Sequence, residues 1–205
     1  MQADAEIDVL VRSAASVMGA ADFQSWAQEN QWNDYPAVAL VFTDTVGSTT
    51  LLYEVGDDTY DTILTAHLDR ARRLISALHG REINSTGDGI LCAFLKVEDA
   101  VRFASQLFAS PGSDRIQIRA GIHFGQLKIR AMDFCGKNVH FASRVMSQAA
   151  GPEIWLSDTA RQRLEQEAPA LLRGLSLVPR THCVLKNVPG EHTLWHWQLP
   201  AGGSA

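Results

Sequence analysis

The sequence predicts an α+β sandwich in which helices cover a mostly antiparallel sheet. Three observations predict it. An apolar run at 37–42 ends near a carboxylate, Asp44. Gly87-Asp88-Gly89 sits between two strand-like stretches, and helical stripes alternate with further strand-like runs. With 205 residues, 46% of them hydrophobic, the chain fits one domain with a short appendage and can bury a full core.

Taken in order, residues 5–31 place Ile7, Leu10, Val11, Ala14, Ala15 and Met18 at helical steps. Gly19 interrupts that helix, Phe23 and Trp26 side a second short turn, and Pro36 pushes Tyr35 out of helical geometry. Residues 1–36 are therefore read as an N-terminal helical arm, packed on the main domain or on a partner subunit. The run AVALVF suits a strand buried on both faces. Gly47-Ser48-Thr49 opens a helix through Leu51, Leu52 and Val55 that closes around Gly56. A longer helix spans 59–79, with Gly80 expected as its C-terminal cap. A short strand, a tight turn at Gly87-Asp88-Gly89 and an apolar strand form the hairpin. A helix over 97–109 follows, then strand-like runs at 116–123 and 125–130. A helix over 138–149, a strand at 154–156 and a helix from Asp158 to about Glu167 come next. The end, 175–199, reads as closing strands with a turn at Pro189-Gly190. The main domain is expected at 37–199, and the tail at 200–205 is expected to be disordered.

Composition excludes several functions. A formal net charge of −5 leaves no excess of cations for gripping a nucleic-acid backbone. No apolar run approaches the ~20 residues that span a bilayer. The first residues carry acids rather than the basic start of a secretory signal. Cys92, Cys135 and Cys183 are widely spaced, which fits a reducing compartment and neither a disulfide framework nor a zinc site. The expectation is a cytoplasmic domain that binds neither nucleic acid nor membrane.

Asp44 and Asp88 stand out by position. If the hairpin pairs beside the first strand, both carboxylates arrive at one end of the sheet, where they repel unless a cation lies between them. Oxygen ligands of this kind suit Mg²⁺ or Mn²⁺. Two such ions can clamp the attacking and leaving oxygens of a phosphoryl substrate. Gly47, Gly87 and Gly89 allow close backbone approach to phosphates, and amides after Gly47 favour anionic oxygens. Taken singly, Asp44 reads as a helix cap and Gly87-Asp88-Gly89 as an ordinary turn; their predicted convergence favours the functional reading. The chain contains no GxxxxGK[ST], GxGxxG or Gly-x-Ser-x-Gly motif.

Four stretches in sequence carry a resemblance. They are Phe42-Thr43-Asp44-Thr45-Val46-Gly47-Ser48-Thr49, Ser85-Thr86-Gly87-Asp88-Gly89, Arg119-Ala120-Gly121-Ile122-His123, and the run from Asp133 to Arg144. In this order they resemble the motifs of class III nucleotide cyclase catalytic domains, over about 37–199. The resemblance implies a ferredoxin-like sheet and a head-to-tail homodimer with shared active sites. It implies a nucleoside triphosphate substrate and two divalent cations, Mn²⁺ or Mg²⁺, held by Asp44, Asp88 and the Thr45 carbonyl. Arg144 from the partner subunit matches the transition-state arginine, and His140 fills the slot, commonly Asn, that orients the ribose. Arg119 and Lys186 match triphosphate-binding cations, beside Gly47 and Ser48. Asn84 and Asp133 fall at the base-selecting positions.

Asp133 favours adenine. Asn84 stands where purine-specific relatives usually carry Lys, and its amide both donates and accepts. Replacing a dedicated contact with an adaptable one relaxes discrimination. A cyclase domain with a short arm and altered base-reading residues resembles the pyrimidine cyclases of bacterial Pycsar antiphage systems, which make cyclic UMP or cyclic CMP for a separate effector protein. Tyr53 on the first helix is a candidate to narrow a base pocket or to pack at the dimer seam. The expectation leans to a pyrimidine product, with adenylate cyclase as the runner-up and a silent cyclase-like binding module behind both.

Overall fold

A computed structural model describes residues 37–130 and 133–199; the expected arm at 1–36 and the tail at 200–205 lie outside the described residues. The apolar run becomes β1 (Ala37–Thr45), with every residue from 38 to 43 buried. After it come α1 (Ser48–Val55) and α2 (Asp57–Ala77), then the hairpin β2 (Arg81–Thr86) and β3 (Gly89–Phe94). Next are α3 (Val97–Ala109), β4 (Ile118–Gln126), the ribbon β5 (Lys128–Arg130) and β6 (Asp133–Cys135), and α4 (Lys137–Met146). The chain closes with β7 (Ile154–Ser157), α5 (Asp158–Glu167), α6 (Pro169–Gly174), β8 (Leu177–Val184) and β9 (Glu191–Trp197).

Seven strands form one sheet in the order β2-β3-β1-β4-β7-β9-β8. Every pairing in it is antiparallel except β4 with β7. The expected α+β sandwich is therefore the observed architecture. One sheet face packs Val41, Ile90 and Ile122 against Leu74, Phe103 and Leu164 from α2, α3 and α5. The opposite face packs Leu40, Phe42 and Leu91 against Val139, Ala142 and Met146 of α4. Both faces of β1 are thus covered, which is why its sequence is a continuous apolar run rather than an alternating one.

Helix α4 lies unusually close to the sheet. A Cβ on Gly121 would stand 2.3 Å from the backbone nitrogen of Met146, so only glycine lets the helix settle there. Side-chain alternation along β1, β4 and β7 turns Asp44, Arg119, His123 and Ser157 toward this α4 side.

Several expectations shift. The left-handed residue that ends α2 is His79 (φ 55), not Gly80. The Gly80 and His79 amides bond back to the carbonyls of Ile75 and Ser76, a Schellman closure with histidine in the usual glycine place. Gly80 is required by packing instead, since a Cβ there would meet the Phe94 ring at 2.3 Å. The strand-like run expected to break after His123 continues to Gln126, and the helix expected over 138–149 stops at Met146. Helix α6 was not expected; Pro169 at its start is the local signal for it.

Candidate active site

The hairpin pairs beside β1 through to Thr43↔Ile90, which brings the β2–β3 turn against Asp44. The Thr45 hydroxyl donates to the Asp88 carbonyl at 3.1 Å and so ties the turn to β1. Gly89 makes the approach possible: a Cβ there would stand 2.7 Å from the Thr43 carbonyl and 3.6 Å from Asp44 Oδ1. Both carboxylates act on Tyr60 of α2, whose phenol pKa is raised by burial first and by Asp88 next. Asp88 lines a small cavity of about 160 Å³ with Ser48, Tyr60 and Gly87.

Two carboxylates and a backbone carbonyl would offer an all-oxygen donor set of the kind that hard divalent cations take. Among the described residues no group of three or more His, Cys, Asp or Glu could hold a metal ion, so two carboxylates would share the task with carbonyl and substrate oxygens. Arg119, the cross-strand partner of Asp44, donates to Asp44 Oδ2 from Nε at 2.9 Å and from Nη2 at 2.5 Å. Gly47 (φ 69) precedes α1 without a side-chain cap, leaving the first amides of that helix facing the same region.

Three further predicted residues gather elsewhere. His140, Arg144 and Lys186 line one cleft of about 800 Å³, together with His123, Asn138, Phe141 and His192. Arg144 is only 5% exposed but reaches this cleft. Neither Asp44 nor Asp88 is among the residues that line this cleft. Asn84 is buried at 2% exposure on β2, opposite Leu91 and so on the α4 side of the sheet. Asp133 opens β6, paired with Arg130 in the separate ribbon.

A buried network in the cleft wall carries a role the motifs did not reveal. His123 Nδ1 lies 2.9 Å from Ser157 Oγ, and Nε2 lies 3.2 Å from Asn138 Oδ1. The Asn138 amide nitrogen donates to the Gln126 carbonyl, which leaves its oxygen to accept. That arrangement assigns the proton of a neutral His123 to Nε2, with Nδ1 accepting from Ser157. Burial lowers the His123 pKa to about 4, so the ring is neutral near pH 7. The ring also packs at a tilt, 4.6 Å between centroids, on Phe141 of α4, which meets His192 edge-on at 5.0 Å. The network fixes the first turn of the helix that carries His140 and Arg144. Its only sequence signal was the position of His123 within Arg119-Ala120-Gly121-Ile122-His123.

The family model for the adenylate and guanylate cyclase catalytic domain matches residues 31–199. The chain belongs to this cyclase family. An adenylate cyclase of Streptomyces coelicolor is 29% identical over 153 residues, 74% of this chain and 38% of its own length. An adenylate cyclase of Podospora anserina is 26% identical over 58% of the chain and 7% of its own length. The cyclase domain thus spans well under half of these relatives. Among solved structures, an adenylate cyclase of Trypanosoma brucei in its monomeric state superposes with a TM-score of 0.68 at 22% identity, covering 78% of this chain and 89% of that one. A guanylate cyclase domain from Catenaria anguillulae, in complex with GTP, gives 0.67 at 17% identity, with coverages of 80% and 97%. These likenesses establish the fold. No helix among the described residues is long and apolar enough to cross a membrane.

Proposed function

We propose that this cyclase domain, residues 37–199, converts a nucleoside triphosphate to a 3′,5′-cyclic nucleotide and pyrophosphate. The observation that carries the reading is the meeting of Asp44 with the Asp88 turn at one end of the sheet, while a second cleft holds Arg144, His140 and Lys186. Asp44, Asp88 and the Thr45 carbonyl would hold two divalent cations, Mn²⁺ or Mg²⁺. When bound, such ions lower the pKa of the ribose 3′-hydroxyl and neutralise phosphate charge. Arg144 meets the charge that develops on the α-phosphate, and Lys186 binds the triphosphate behind it. His140 donates to the ribose. Because the cleft that Arg144 lines does not include Asp44 or Asp88, the complete site is read as drawing Asp44 and Asp88 from one subunit and Arg144 from its partner in a homodimer.

The product is proposed to be a pyrimidine cyclic nucleotide, cUMP or cCMP, made in the cytoplasm as an antiphage signal for a separate effector protein. Support comes from Asn84, which replaces a purine-reading cation with a buried amide on the α4 side of the sheet. Tyr53 adds to it as an 86% exposed aromatic on α1, the helix that begins beside the carboxylates. The competing product is cAMP, favoured by the adenylate cyclase relatives and by Asp133 at the base-selecting position. Purified protein with Mn²⁺ is offered ATP, GTP, UTP and CTP separately. Turnover of UTP or CTP is the expected result, and turnover of ATP alone would overturn the pyrimidine assignment.

A further inference from the structure

Asp44 presents its two carboxylate oxygens in different directions. Oδ2 receives both Arg119 hydrogen bonds, at 2.9 and 2.5 Å. Oδ1 faces Gly89, 3.6 Å from where a Cβ would stand, on the side of the turn that carries Asp88. The pair is neither dissolved in solvent nor sealed, at 29% exposure for the Arg119 side chain and 24% for Asp44. Strand register holds it, because Arg119 is the direct partner of Asp44 across β1 and β4. A guanidinium is a permanent cation whose planar fork suits carboxylate and phosphate oxygens alike.

We propose that Arg119 occupies the place of one of the two divalent cations on Asp44 in the nucleotide-free chain, and yields it when phosphate arrives. The inference rests on the reading of Asp44 and Asp88 as cation ligands. With the guanidinium on Oδ2, the Oδ1 side and Asp88 accept one ion. The Oδ2 side opens when the triphosphate offers Arg119 a more highly charged partner; phosphate oxygens take the same forked hydrogen bonds as a carboxylate. Arg119 thereby couples uptake of the second ion to substrate, and in its absence keeps the charge on Asp44 compensated. A purely structural cross-strand bridge would leave ion uptake unchanged when removed, and that difference is measurable without turnover.

The test counts Mn²⁺ bound per chain by electron paramagnetic resonance on the full-length protein without nucleotide. Wild type is expected to bind one ion, and Arg119→Met two. Arg119→Gln is a second neutral variant with the same expectation, should Arg119→Met fail to fold. Arg119→Lys, which keeps the charge, is expected to stay at one. Two ions in the wild type, or one in both neutral variants, overturns the role of Arg119 while leaving Asp44 and Asp88 as ligands. No specific ion in any form, with Asp44→Asn no different from wild type, overturns the cation-ligand reading itself and the inference with it.

Discussion

Asp88 is carried to Asp44 by the β2–β3 turn, and the Thr45 hydroxyl holds that turn by bonding its carbonyl. Removing the carboxylate leaves the turn, its backbone bond and the buried strands on either side in place. Asp88→Ala is therefore expected to abolish pyrophosphate release while far-ultraviolet circular dichroism stays at wild type. On the proposed mechanism Arg144→Ala removes a group aimed at charge that develops only in the transition state, so kcat should fall about 100- to 1,000-fold. Substrate KM should change far less, because ground-state binding falls mainly to other groups. The meeting of Asp44 with the Asp88 turn was legible in sequence because a carboxylate at the end of a buried strand and another in a glycine-flanked turn are both unusual positions. The Asp44–Arg119 bond was not legible, since it depends on the register between β1 and β4. Neither did the motifs show how deeply Asn84 is buried.

Helix α4 brings His140 and Arg144 to the cleft, and its placement has two anchors. One is the absence of a side chain at Gly121 under Met146. The other is the chain from Ser157 through His123 to Asn138 at the helix start. Charging His123 would break the second anchor, because a doubly protonated ring has no lone pair for Ser157. The buried ring titrates at about 4, against an ordinary 6.5. A lowered histidine pKa means the unfolded chain takes up its proton first as pH falls, so stability is complete above about 6.5 and is lost toward 4. His67 is lowered by burial too and contributes with the same sign. At pH 5 the His123 share amounts to about 2 kcal/mol relative to neutral pH. The urea midpoint should be lower at pH 5 than at pH 7 in wild type, and His123→Asn should remove most of that fall. An equal drop in both proteins would show that His123 does not set this acid sensitivity. Elements with a strong helical stripe were legible: α3 was expected over the residues it occupies. Helix ends were less so, because the α2 terminus depends on a left-handed His79 and on the Phe94 ring beside Gly80.

At the scale of the whole molecule, the sheet order and the crossing of α4 sort the chemistry into two groups. Asp44 and Asp88 meet at the end of β1, and Arg144, His140 and Lys186 meet in the cleft. The alternation of strands and helices made the α+β sandwich legible, because a continuous apolar strand such as β1 needs cover on both faces and the helical stripes supply it. That Arg144 lines a cleft without Asp44 or Asp88 came from the fold, whereas its service to a partner's carboxylates was what the resemblance implied. The central claim is that two copies complete each other's site. Its most direct measurement is pyrophosphate release from Asp44→Ala and Arg144→Ala chains, each alone and then co-expressed with different affinity tags. Each variant alone should be inactive. A mixed dimer keeps one intact site of two, so a random mixture should recover about a quarter of wild-type activity. If tagged mixed dimers form and the activity stays at the level of the separate variants, the two groups do not combine across subunits and the shared site is contradicted.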